Sequence, residues 1–478
     1  MINAPATVIF LACACVLPFM AHGTEYYVSN NGLDTNFGTT PEAPWQTLER
    51  VNAGPFAPGD RVLFSRGGMW RGKLVPYSGN KTAPIYYGAY GEGEKPLLLG
   101  SIEANRPEDW VDTGGNIWKT SGAVPLPCDV GNIIFDGEKT CGVKVWEAVD
   151  LDAEGEYWFD EAAHTVSLFS SENPARLHTD IECALRDHII DQGGRSYVTY
   201  ENLALKYGAA HGIGGGGTHH IVVRDCDFGY IGGGDQMGGD RTVRFGNGVE
   251  FWAGAHDCLV ERCRLWEIYD AALTNQSNAP GTQQYNIIYR NNIIWNCEYS
   301  FEYWNRPEDS ITHDIYFVNN TCVNAGQGWG HGQRPDPSGR QLCFYSNSAQ
   351  VRDFVVRNNI FFEAKANALF LMGWTAEAVA ELDLDHNCWY QETGDFVLLN
   401  DARYSMALFA AYQTATGKDV HSIAALPQFL DAAGGNFSLG KGSPCIDAGA
   451  DTGIALDNAA PPAFHGTARD IGAIEFRE

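Results

Sequence analysis

Two glutamates in matching surroundings carry the clearest chemical potential in this 478-residue chain: Glu250 in Gly248-Val249-Glu250-Phe251-Trp252 and Glu302 in Ser300-Phe301-Glu302-Tyr303-Trp304. Both stretches read as strands. Period-2 alternation sends Val249, Phe251, Leu273, Phe301 and Tyr303 inward and turns Glu250, Trp252, Ala272, Thr274, Glu302 and Trp304 outward, toward solvent. With strands stacked at ~4.8 Å and Ala271-Ala272-Leu273-Thr274 between them, the two glutamate backbones fall roughly 9–10 Å apart across Ala272. Carboxyl groups ~6.5–9.5 Å apart suit inverting glycoside hydrolysis, in which one acid protonates the leaving oxygen and the other carboxylate activates water. Repeated exposed tryptophan invites a partner, and here it fits a sugar-stacking surface. Asp270, just before the middle strand, is a third candidate catalytic carboxylate, and Asn275 and Arg306 are expected among the substrate-binding groups.

The elements that must position these residues come from a repeat. Asn202, Cys226, Cys263, Asn292, Asn320, Asn359 and Asn387 recur at spacings of 24, 37, 29, 28, 39 and 28, each after an alternating strand such as Ile221-Val222-Val223 or Ile315-Tyr316-Phe317. Periods of this size mark solenoids, and strands without a 3.6 period make the repeats coils of strands. Asn at one position of successive coils can form an amide ladder, with Cys in the same small inward slot. That pattern predicts an all-β, parallel β-helix. The two long spacings hold inserted loops, Gly232 to Gly246 and Ala325 to Arg340. They carry Asp235, Asp240, Arg241 and Arg244 in the first and Trp329, His331, Arg334 and Asp336 in the second. Trp329, His331 and Arg334 are counted as candidate substrate-binding residues, since loops on a rigid scaffold concentrate such groups.

Composition excludes other classes. Hydrophobic residues are 44% and charged residues 19%, enough apolar material for a large core. The formal charge of −27 repels nucleic acid and anionic lipid, so neither is an expected partner. The 54 glycines without a collagen period fit a turn-rich β fold. Val8 to Ala21 reads as the apolar core of a signal peptide over residues 1–23, cleaved near Gly23, and predicts a secreted or periplasmic protein. No other segment reaches membrane-spanning length. Eleven cysteines remain after that point with no CxxC spacing, so most are expected to be buried thiols, with Cys128 and Cys141 the one pair to check for a bridge.

The chain resembles the pectate-lyase-like right-handed parallel β-helix superfamily. The resemblance is carried by Tyr26 to Trp45, by Pro58-Gly59-Asp60-Arg61-Val62-Leu63-Phe64, by Gly442-Ser443-Pro444-Cys445-Ile446-Asp447-Ala448-Gly449 and by Asp470-Ile471-Gly472-Ala473. It implies a carbohydrate-active protein of that fold without specifying the reaction. The expected organisation is an N-terminal cap with first coils over 24–102, a small β insertion or irregular coils over 103–185, coils over 186–400, and a cap over 401–478 that covers the open end and holds a helix at Met406 to Thr416.

Three functions fit. A glycoside hydrolase would use the paired carboxylates. A polysaccharide lyase would need a uronate-neutralising group and a base; no Lys occurs between Lys206 and Lys365, which leaves Arg306, His331, Arg334 or Tyr303, and the Asp-Pro-His motif of mannuronan epimerases is missing. A non-catalytic carbohydrate-binding β-helix would need neither. No cofactor is required, and a role for Ca²⁺ is open though no acidic calcium loop indicates it. A monomer acting on a polysaccharide or oligosaccharide is the expectation.

Overall fold

The computed structural model describes residues 23–236, 243–345, 347–454 and 463–477. The proposed signal segment therefore lies outside the described residues, as do Asp240 and Arg241. Successive coils each give one strand to each of three sheets of ten, ten and nine strands. One coil, for example, runs through His219–Arg224, Asp227–Ile231 and Val249–Phe251 before the next begins at His256–Glu261. Pairing within the sheets is parallel, except where Asp395–Leu399 pairs antiparallel with Ala402–Ser405 at the far end. The first sheet already starts at Glu25–Val28, so coils begin well before the region where the repeat is legible.

The ladder forms on the inner face. Asn292, Asn320, Asn359 and Asn387 are fully buried. Each of the first three donates from its backbone N–H and from Nδ2 to Oδ1 of the next, at 2.8–3.1 Å. The same Nδ2 groups also donate to carbonyls of neighbouring strands, as Asn320 does to Tyr289 O at 3.0 Å. Cys226 and Cys263 occupy the same row in earlier coils, fully buried. Asn202 does not: it sits one residue early, with φ 58°, and Leu203 fills the inward slot. The positions just before the ladder, Asp225, Arg262, Asn291, Asn319, Asn358 and His386, share that left-handed backbone at φ 51–57°. A row of left-handed residues turns the chain between sheets, which is why short polar Asn and Asp dominate it. Replacing Asn320 by Leu is expected to cost about 1–3 kcal/mol, because the N–H of Asn292 and the carbonyl of Tyr289 lose buried partners. Urea denaturation of the variant checks this, and an unchanged midpoint would count against the ladder as a stabilising device.

Residues 101–185 fold into two small sheets, antiparallel except where Val143–Lys144 pairs parallel with Glu156–Asp160, with their own core around Trp110, Ile133, Tyr157, Phe159 and Val166. At the far end, the Phe409–Thr416 helix places Tyr412 against Phe396 of the last coil, and Tyr412 donates to the buried Asp419 at 2.7 Å. The tail beyond it does not stay at the open end. Ala450, Asp470 and Ala473 hydrogen-bond to Asn358, Asn319 and Asn291, so the GSPCIDAG and DIGA segments run back along the outside of the coils. All eleven cysteines from Cys128 onward are free thiols, Cys128 and Cys141 included. No helix of the described residues is long and apolar enough to cross a membrane.

Candidate active site

The nine-stranded sheet brings the glutamates into one row. Glu250 pairs with Thr274, and Thr274 with Glu302, so two strand steps separate them. The residue between them is Thr274, not Ala272. Ala272 joins the core together with Leu273, while Ala271 joins a separate cluster with Tyr299 and Cys343. Val249, Phe251, Leu273, Phe301 and Tyr303 all face the core. Tyr303 is therefore unable to reach a substrate as a base. Asn275 shares the register position of Phe251 and Tyr303, is fully buried, and accepts a hydrogen bond from Tyr289. It does not reach the outer surface.

The outward carboxylates are not solvated as the alternation alone suggests. Glu250 is 7% exposed and Glu302 6%. A cleft of about 650 Å³ lies over this part of the sheet, lined by Glu250, Asp270, Trp252, Trp304 and Arg306 together with His188, His211, Asn247, Gln236 and Gln276. Trp252 and Trp304 meet edge to face at 5.3 Å, and the Arg306 guanidinium lies 4.8 Å from the Trp304 ring centre. Glu302 accepts a short hydrogen bond from Gln276.

The first inserted loop lines this cleft through Gln236 and Phe245, and the second reaches its Asp270 through Arg334. Gly232 and Gly246 cross at the neck of the first loop; a Cβ on Gly246, at φ 135°, would lie 2.2 Å from Gly232 Cα, so no larger residue fits. Arg244, buried, donates to Gly233 O and Gly131 O at 2.7 Å and to Gln333 Oε1 at 3.1 Å, tying first loop, insertion and second loop together. In the second loop Trp329 donates its indole N–H to Glu267 O at 2.9 Å, and His331 Nδ1 lies 2.9 Å from Glu298. Trp329 and His331 thus anchor their loop rather than line the cleft. Arg334 reaches further, donating to Tyr269 O at 2.9 Å and to Asp270 Oδ1 at 3.2 Å.

Burial sets the charges. It pushes the Glu250 carboxyl up to about 8, with the Asp270 charge adding to the effect and Asn247 opposing it. Glu302 is raised well above the ordinary carboxyl range, first by burial and then by Asp270. Asp270 is raised by burial as well, but the Arg334 guanidinium pulls it back. Of the three, Asp270 has the ion-paired cation, which favours its charged form, while burial favours the protonated form of Glu250.

The histidines were not evident from sequence. His188, His211, Asn247 and Ala271 each stand two residues before an inward aliphatic of consecutive coils: Ile190, Ile213, Val249 and Leu273. They form a ladder. His188 Nδ1 accepts from His211 N at 3.3 Å, His211 Nδ1 from Asn247 N at 2.9 Å, and Asn247 Oδ1 from Ala271 N at 3.0 Å. With Nδ1 accepting, the proton of neutral His211 belongs on Nε2, which faces Glu250 Oε2 at 3.2 Å. Burial and His188 hold His211 well below the usual histidine range, so it stays neutral. Tracing the strand row two residues upstream of each inward aliphatic is the signal that would have found this pair.

No family model matches the chain. A stretch of 84 residues, 16% of the chain, is 40% identical to a lacto-N-biosidase of Bifidobacterium longum subsp. longum, and the match spans 5% of that protein's length. A solved glycoside hydrolase aligns over 78% of this chain and 94% of its own, at 10% identity and a TM-score of 0.50. Pectate lyase Pel9A aligns over 95% and 96%, at 14% identity and a TM-score of 0.42. The chain is a right-handed parallel β-helix. On this β-helix the cleft lies across the outer face of the nine-stranded sheet, where consecutive coils present their side chains in rows.

Proposed function

We propose that this β-helix protein is a glycoside hydrolase cleaving a largely neutral oligosaccharide or polysaccharide, with Glu250 as proton donor and Asp270 as the partner carboxylate. The observation that carries the reading is that two carboxyls open on one cleft in opposite environments: Glu250 buried against a neutral imidazole, Asp270 held by Arg334. Glycoside hydrolysis needs such a pair, one group protonated at working pH and one ionised. In the proposed reaction Glu250 gives its proton to the glycosidic oxygen as the bond breaks. Asp270 takes a proton from the attacking water, or attacks the anomeric carbon itself, according to its distance from Glu250 across a bound sugar. Glu302, just beneath, is held by Gln276 and adds a polar, uncharged carboxyl to the floor of the site. Trp252 and Trp304 offer apolar faces to sugar rings, with Arg306 as a polar contact at the rim.

An eliminating lyase is less well supported. Among the described residues lining the cleft there is no lysine and no tyrosine, Arg334 is already held by Asp270, and Arg306 is left as the arginine available to a uronate. A uronate would have to be buried beside carboxyls already held in a desolvated cleft, which adds to its cost. Export fits the apolar run at Val8 to Ala21, and a monomer remains the simplest form. The experiment is to follow oligosaccharides, including β-linked neutral ones, for new reducing ends and for unsaturated-uronate absorbance together. Reducing ends without absorbance are expected. Absorbance would replace this reading with elimination, and binding with neither signal would make the protein a carbohydrate-binding module.

A further inference from the structure

Behind the cleft wall, where the nine-stranded sheet hands the chain to the first sheet, three histidines and an aspartate of two adjacent coils converge. His219 and His256 are register partners, and their rings stack at 4.8 Å with 5° between planes. His220 and Asp257 follow them, both left-handed at φ 54° and 53°. A left-handed residue breaks strand alternation, so neighbours that would point to opposite faces instead share one. In consequence His219 Nδ1 and His220 Nδ1 face each other at 2.9 Å. Asp257 Oδ2 lies 2.7 Å from His256 Nδ1 and 3.9 Å from His220 Nδ1. Ligand atoms of His220, His256 and Asp257 all fall within 4.8 Å of one another, and all four residues are half-buried.

We propose that this cluster is a binding site for a divalent first-row transition ion of the zinc class, clamping the two coils that carry Gly216 and Trp252 of the cleft. Imidazole nitrogen with one carboxylate oxygen is a donor set for such ions rather than for Ca²⁺ or Mg²⁺, which take all-oxygen shells. Metal bonds of ~2.0–2.2 Å in a tetrahedron need donors about 3.3 Å apart. The distances here bracket that value, so small ring rotations suffice. The outer shell is in place: the Asn286 amide donates to Asp257 Oδ1, leaving Oδ2 for the ion, and the His256 ring is held between His219 and Tyr285, the latter stacked at 4.7 Å. Such partners fix ligand orientation and support affinity. The site is separate from the carboxylate cleft chemistry and does not depend on it.

Asp385, His386 and His421 form a second histidine-bearing group on the described surface, so the test is made in a His421→Ala background, on tag-free protein stripped with chelator. Calorimetric titration with Zn²⁺ should show a single ion bound per chain, with a rise in Tm. Co²⁺ should develop the intense visible absorption of a tetrahedral site. Adding His220→Ala and His256→Ala should weaken Zn²⁺ binding by ~100-fold or more, beyond the loss typical of outer-shell partners, and leave Tm in chelator near its starting value. Absent heat and absent Tm shift in the His421→Ala protein would overturn the proposal, as would equal affinity after the double replacement. Should that variant fail to fold, Asp257→Asn serves instead: weaker Zn²⁺ binding supports the site, and unchanged affinity overturns it.

Discussion

Glu250→Gln and Asp270→Asn are each expected to lose roughly 10²–10⁴-fold in kcat/KM, the usual range for a positioned general acid or base, while remaining folded. Gln at 250 keeps the shape and can still accept from His211, but it has no proton to deliver. Asn at 270 keeps a contact with Arg334 and loses the charge. The two losses should differ in kind. An aryl glycoside whose leaving group needs no protonation should recover most of its rate with Glu250→Gln and little with Asp270→Asn. Glu302→Gln should cost less than either, since Glu302 lies beneath the cleft surface and is held by Gln276. Steady-state kinetics on both substrates check this; full activity in Glu250→Gln and Asp270→Asn alike would remove the assignment.

The same glutamate should make the folded protein sensitive to alkali. Its folded-state pKa of about 8 stands above the ordinary 4.5, so between these values the native chain holds a proton that the unfolded chain has released. Over that window stability falls as pH rises, and the stabilising proton is lost above about 8. At 1.36 kcal/mol per pKa unit, the penalty for burying the ionised carboxylate approaches about 3–5 kcal/mol. Gln does not titrate. Urea denaturation of wild type and Glu250→Gln at both ends of the window should therefore show the variant gaining on wild type by several kcal/mol as pH rises. A constant difference would mean that Glu250 has an ordinary pKa.

Much of this arrangement was legible in the chain because strands obey parity. Val249, Phe251, Phe301 and Tyr303 fill the core, and the Asn ladder from Asn292 to Asn387 stacks inward, because one residue type at one phase of a repeat leaves little freedom. Parity also covers Asn275, which shares the phase of Phe251 and Tyr303. Parity alone does not show everything: Ala272 joins the core although alternation turns it outward, and Asn202 stands at the left-handed position before the ladder, as Asp225 does in the next coil, and not in the ladder itself. Nor could local pattern show that Glu250 and Glu302 are covered. Their surroundings are set by residues distant in sequence: His211 faces Glu250, Gln276 holds Glu302, and the two loops and the insertion are tied together by contacts that join residues up to 191 positions apart. For the same reason Trp329 and His331 read as binding groups on composition, whereas their partners Glu267 and Glu298 make them anchors.

The most direct test of the central claim is the alkaline limb of the pH profile of kcat/KM on a substrate that requires leaving-group protonation. If buried Glu250 is the proton donor, hydrolysis by the wild-type protein should fall with an apparent pKa near 8, and that limb should be absent from the residual activity of Glu250→Gln. A wild-type rate that declines with an apparent pKa in the ordinary carboxyl range, or a limb near 8 that survives the replacement, would contradict it.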